Sequence, residues 1–356
     1  MNARRWAPRA VQARGAALGL AAAALFGVSA PLAKVLLGEI SPVLLAGLLY
    51  VGAAMGLWLH RGFSRPTKEA TLGPRDAPKL AAVVLSGGVL GPVLMLLGLG
   101  RVTALTGSLL LNLEAPFTVM LAVLVFREHL GRYAAVAVAL ILSGAVVLQL
   151  EPGALGADVA GVALLAGACA CWAIDNNLTQ RLSLKDPFAI VRVKTLVAGL
   201  ANTTLGLLVA SDALPSWRFV LGALVLGSLS YGASVVLDAF ALRLIGAARE
   251  AAYFATAPFV GALVSVLLLG DTLRWLDGLA MLVMAVGVAF LLRERHGHEH
   301  THEALSHDHL HDHDEHHQHD HAPGDPVGEP HSHLHDHAPL THDHAHVPDV
   351  HHRHPH

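Results

Sequence analysis

Cysteine is nearly missing from this chain of 356 residues: Cys169 and Cys171 stand two apart in one apolar run, which excludes a disulfide framework and a zinc-finger spacing. Two apart on a helix, they point to different faces and do not share an ion. No lysine follows a glycine anywhere, so the phosphate-binding loop of P-loop ATPases is excluded. Charge is scarce as well. Only 14% of residues are charged while 54% are apolar, a balance that excludes an ordinary soluble domain and points to a bilayer as solvent. No nucleophile and base stand together in an enzyme-like pattern, so catalysis is not expected. Histidine too is rare up to residue 295, with only His60 and His129, both at helix ends where a surface role suffices.

What is present divides into two unlike parts. The last 61 residues, from His296 to His356, hold 23 of the 25 histidines together with 12 acidic residues and a single basic one, Arg353. Imidazole suits nickel, cobalt, zinc and copper, and interleaved carboxylates add oxygen donors. The strongest ligand candidates are His307, His309, His311, His313, His316, His317, His319, His321, His331, His333, His335, His337, His342, His344 and His346. A purification tag is a run of consecutive histidines, whereas these alternate irregularly with acids, so the segment reads as native. Low hydrophobicity and prolines at Pro323, Pro326, Pro330, Pro339, Pro348 and Pro355 predict a disordered tail that binds a divalent transition metal, with no obligatory cofactor elsewhere.

The rest is built of apolar runs long enough to span a bilayer. Ten are expected, at about 16–38, 41–60, 78–99, 102–126, 133–150, 157–180, 187–210, 218–241, 247–269 and 274–292. Arginines precede the first run as in a signal peptide, but its length and the nine runs after it make it a retained span. With the amino terminus in the cytosol, inside segments hold 17 lysines and arginines and outside segments only Arg101, Arg218 and Arg274. The positive-inside rule therefore places both termini, and with them the tail, on the cytoplasmic side of the cell's inner (plasma) membrane.

The membrane part also repeats. Ala115-Pro116-Phe117 in the fourth run recurs as Ala257-Pro258-Phe259 in the ninth, Gly144 in the fifth matches Gly287 in the tenth, and Ala24-Leu25-Phe26-Gly27 aligns less clearly with Ala170-Cys171-Trp172-Ala173. A five-helix unit crosses an odd number of times, so its second copy enters from the opposite side, as in many secondary transporters. The expected class is an all-α membrane protein: a basic amino terminus at 1–15, five-helix repeats at 16–150 and 157–292 in inverted orientation, and the tail at 296–356.

Glu114-Ala115-Pro116-Phe117-Thr118 and Thr256-Ala257-Pro258-Phe259-Val260, followed by Arg127-Glu128-His129-Leu130 and Gly270-Asp271-Thr272-Leu273 and then by a span with a central glycine, give residues 16–292 a pattern that resembles the EamA branch of the drug/metabolite transporter superfamily. The resemblance implies a ten-helix carrier, a structural role for Glu128 and Asp271, and a sixth span that lines the cavity. His-rich tails on such carriers resemble those associated with nickel and cobalt resistance.

Ionisable groups inside spans are costly and are the default site candidates. Glu114 precedes Pro116, whose missing N–H frees a carbonyl nearby; a carboxylate there suits a cation or a transported proton. Asp175 with Asn176 and Asn177 forms the densest polar cluster of any span, suited to a hydrated divalent ion. Asp238 is expected to offset Arg192 and Lys194, and Lys34 to snorkel to the interface. If the substrate were an organic anion, Arg192 and Lys194 would be its counter-charges. These residues frame three expectations: a proton-linked exporter of nickel or cobalt before zinc, fed by the tail; an exporter of an amino acid or other small metabolite with a metal-buffering tail; or a membrane metal sensor that transports nothing. The expected partners are the bilayer and a transported ion or small molecule, with no nucleic acid, and a homodimer left open.

Overall fold

A computed structural model describes residues 8–63, 72–125, 131–148, 158–182, 185–209, 214–245, 253–291, 296–302, 305–311, 331–337 and 340–346. Glu128 and several expected ligands (His313, His316, His317, His319 and His321) lie outside these residues. Every apolar run carries helix. Seven helical stretches are long and apolar enough to cross a membrane: Ala13–Leu36, Pro42–Leu59, Pro74–Leu99, Ala104–Leu124, Val159–Thr179, Phe188–Val209 and Trp217–Asp238. Arg132–Val147, Ala257–Leu269 and Trp275–Leu291 are shorter apolar helices. Numbered in chain order, these ten are called spans below.

Prolines interrupt several spans at predictable places. Pro31 lacks the N–H that the Gly27 carbonyl would receive, and the first span breaks there into Pro8–Gly27 and Ser29–Leu36. Before Pro116 the fourth span tightens into a 3₁₀ turn, Leu111–Leu113, and resumes at Glu114. The third span loosens instead, into a π-helical segment Val84–Leu90 just before Pro92; the eighth has a π segment of its own at Ser228–Ala233, with no proline in that span.

The spans pair in a pattern that exchanges the two halves. The second packs on the seventh, the fourth on the ninth and the fifth on the tenth, while the first packs on the eighth as the sixth packs on the third. Moving every span five places along the chain reproduces the same list, which is what a pseudo-twofold axis through the bundle requires. Small residues make these contacts close, the usual means of helix association in lipid. A side chain on Gly47 would collide with the backbone of Thr203, one on Gly199 with Val51, and one on Gly206 with Leu44, all between the second and seventh spans.

The tail departs from the expectation of disorder. Its described backbone forms strands β1 His296–His302, β2 Leu305–His311, β3 His331–His337 and β4 Leu340–His346. β1 pairs with β4 and β2 with β3, both antiparallel. The physical reason lies in the sequence: His alternating with another residue has the strand period of two, and all six tail prolines fall outside the strands. The register sets His298 opposite His344, His300 opposite His342, His307 opposite His335 and His309 opposite His333. The all-α expectation thus holds for the spans, while the described residues of the tail are strand where disorder was expected.

Candidate functional site

The third span's π segment is the floor on which the polar centre is built. Proline at position 92 cannot donate to Gly88, its partner in the α register, nor to Gly87, its partner in the π register. Both freed carbonyls are capped by side chains from other spans. Gly88 O accepts from Asn202 Nδ2 at 3.3 Å. Gly87 O accepts from Tyr50 Oη at 2.8 Å and from Trp172 Nε1 at 3.2 Å. Three spans are thereby tied to one turn of a fourth, which satisfies the backbone groups as a bilayer requires.

Asp175 rests against this turn. A methyl group on Gly87 would overlap its carboxylate, so glycine is needed for the approach. The carboxylate is buried and forms an ion pair with Lys194 of the seventh span, and it accepts from Thr179 Oγ1 at 3.1 Å. This corrects one expectation: Lys194 is not the partner of Asp238, and Asp175 is not a spare oxygen ligand. Arg192 is engaged by Asp186, at 3.4 Å. Asp238 sits half-buried on Ser234–Ile245, which packs on the first span and not on this centre.

Glu114 and Asn176 do come together, with Asn176 Nδ2 donating to Glu114 Oε1 at 2.7 Å. Asn177 turns to the backbone instead and donates to Thr118 O at 3.2 Å and Ala173 O at 2.9 Å, which locks the fourth span to the sixth. Glu114 therefore has a neutral amide and no cation in contact among the described residues. The arrangement holds one internally neutral pair beside one carboxylate that an amide steadies but does not neutralise. Beside it stands an aromatic wall: Tyr231 lies 5.6 Å from Phe26, edge to face, and 5.6 Å from Tyr50. Cys169 is buried facing the Leu110 and Leu111 carbonyls, so its thiol is structural packing. Among the described residues no three His, Cys, Asp or Glu side chains gather into a metal site.

Sequence reasoning does not reach Tyr50, Asn202 or the central place of Lys194. Asn202 is fully buried in mid-span and carries the same signal of an intramembrane polar group that singles out Asp175. Tyr50 and Lys194 acquire their roles only through neighbours distant in sequence. Lys34 donates to the carbonyls of Leu99 and Val102, the latter at 2.7 Å, and so caps the carboxyl end of the third span.

A model of the EamA-like transporter family matches residues 13–150 and again 159–293. An uncharacterized transporter of Methanothermobacter thermautotrophicus is 30% identical over 288 residues, 76% of this chain and 84% of that protein. The threonine/homoserine exporter RhtA of Escherichia coli K12 is 31% identical over 124 residues, which span 35% of this chain and 42% of the exporter. RhtA of Salmonella typhimurium LT2 is 30% identical over the same length. A solved crystal structure superposes with a TM-score of 0.59 at 18% identity, covering 78% of this chain and 97% of the other, a likeness of fold.

Proposed function

The chain belongs to the EamA-like transporter family, and from that premise we propose a secondary active carrier that exports a small zwitterionic metabolite of the amino-acid class. Its two five-helix halves are inverted, both termini face the cytosol, and the pathway runs past Glu114, Asn176, Asp175 and Lys194. The observation that carries the substrate class is the Asp175–Lys194 pair. With Asp175 neutralised, Glu114 is the one carboxylate of the cluster without a cation in contact. A single such group is a poor cage for a dehydrated divalent ion, which takes several oxygen or nitrogen ligands. It suits a substrate ammonium or a coupled proton, and a substrate carboxylate can compete with Asp175 for Lys194. The partial likeness to threonine/homoserine exporters points the same way.

A second reading rests on the tail. The backbone register sets histidine opposite histidine, as at His298 and His344 or His307 and His335, and histidine as a residue type suits nickel, cobalt or zinc. Export of those ions, with the tail as collector, is the reading these pairs favour; under the first reading the tail buffers metal or regulates the carrier.

Proteoliposomes holding the full chain separate the two. Expected are a flux of L-threonine and L-homoserine that responds to a proton gradient, its loss in Glu114→Gln and Lys194→Met, and no flux of nickel or cobalt. Nickel or cobalt flux without any amino-acid flux would overturn the first reading in favour of the second.

A further inference from the structure

A second charged cavity lies at the opposite end of the bundle from the basic loops, where the first span ends and the turn between the third and fourth begins. Its volume is about 540 Å³, and Lys34, Val35, Arg101, Thr103 and Asp271 are on its walls. An adjoining space of about 460 Å³ shares Arg101, Thr103 and Asp271 and adds Thr106, Arg274 and Asp277. These volumes are in the range of small-molecule pockets, roughly 300–1,000 Å³.

The charges on these walls are not all spent. Arg274 grips Asp277 with two bonds of 3.0 Å, and Arg101 is paired with Asp158. Lys34 donates only to backbone carbonyls. Asp271, aimed inward by the left-handed turn at Gly270 (φ 71°), accepts the Leu105 N–H at 2.9 Å through one oxygen. Neither has an ion-pair partner among the described residues. One cavity thus carries a cation and an anion that are hydrogen-bonded to backbone and have no opposite charge in contact. A simple anion would be opposed by Asp271, and a metal ion by Lys34 and Arg101. A molecule bearing both charges satisfies both walls.

We propose that this cavity is a second substrate site on the release side, separate from the Glu114 centre. It docks a free amino acid with the carboxylate toward Lys34 and the ammonium toward Asp271. The substrate class rests on the function proposed above, while the site stands on its own geometry.

The apolar side chain of Val35 is exposed on the cavity wall, so Val35→Cys in the full-length protein is a reporter. In membrane vesicles its reaction with an impermeant maleimide, counted above that of the unsubstituted chain, should slow severalfold with millimolar L-threonine. Acetate, methylammonium and nickel chloride at equal concentration should leave it unchanged. Lys34→Gln or Asp271→Asn should each raise the half-protecting threonine concentration about tenfold or more, the loss of one hydrogen bond to a charged group. No protection by threonine overturns the proposal, as does equal protection by acetate or nickel, or protection that survives both substitutions. Should either variant fail to fold, the comparison of threonine with the single-charge ions in Val35→Cys alone still decides. Threonine transport without protection sinks this site and spares the proposed function; protection without transport does the reverse.

Discussion

At the scale of single residues, burial separates ion pairs that matter from those that do not. Asp175 is buried and its partner Lys194 is part-buried, so removing the lysine strands the carboxylate's charge and removing the carboxylate leaves the ammonium in a mostly apolar setting. Asp175→Ala is expected to lower stability in detergent by on the order of 3–5 kcal/mol, and the double variant Asp175→Ala/Lys194→Met to recover most of it, read as thermal midpoints in a double-mutant cycle. Arg101 and Asp158 are the contrast, because both are open to solvent. The Arg101 hydrogen bond holds the Asp158 carboxyl below the usual carboxylate range. A depressed value contributes stability above the ordinary carboxylate pKa, and that contribution is lost as pH falls through the lowered one. Solvent screening keeps it small, so Arg101→Ala should leave the thermal midpoint at neutral pH within measurement scatter. Sequence marks Glu114, Asp175 and Asn176 as costly groups in spans, and the structure brings Glu114 and Asn176 into contact. It does not mark which cation Asp175 meets, because that partner stands 19 residues away on another helix.

At the scale of elements, the third span shows how one proline organises several helices. The missing N–H of Pro92 and the step from the π to the α register leave two carbonyls open, and Tyr50, Trp172 and Asn202 close them. Pro92→Ala restores an N–H that competes for Gly87 O or Gly88 O. Substrate flux should fall severalfold while helix content by circular dichroism stays the same, since only the register of one turn changes. Gly87→Val should abolish flux altogether, because its side chain occupies the space of the Asp175 carboxylate. Helix existence is legible from apolar runs, and breaks are legible where a proline follows a small residue, as at Pro31. The π register is not legible. Adding a residue to a turn leaves the apolar pattern unchanged when nearly every face is apolar. In the tail, composition predicts disorder and the alternation of period two predicts strand; the described backbone follows the alternation.

At the scale of the whole molecule, the exchange of spans between halves makes the bundle a pair of similar bodies meeting around the polar centre. Among the described residues, the tail's strands pair with one another. Deleting residues 296–356 is therefore expected to remove most nickel and zinc binding by isothermal titration and to leave L-threonine flux per carrier unchanged. The sequence by itself determines the solvent, the number of apolar runs, the internal repeat and the alternating histidines of the tail. Each of these follows from local composition or from self-similarity along one chain. Tertiary structure alone decides that Lys194 neutralises Asp175, that Lys34 caps the end of the third span, and that Asp271 shares a cavity with it. A lipid-facing chain has few charges, and each must find its counterpart among residues tens of positions away. Which counterpart it finds depends on how the helices cross, which no local pattern encodes.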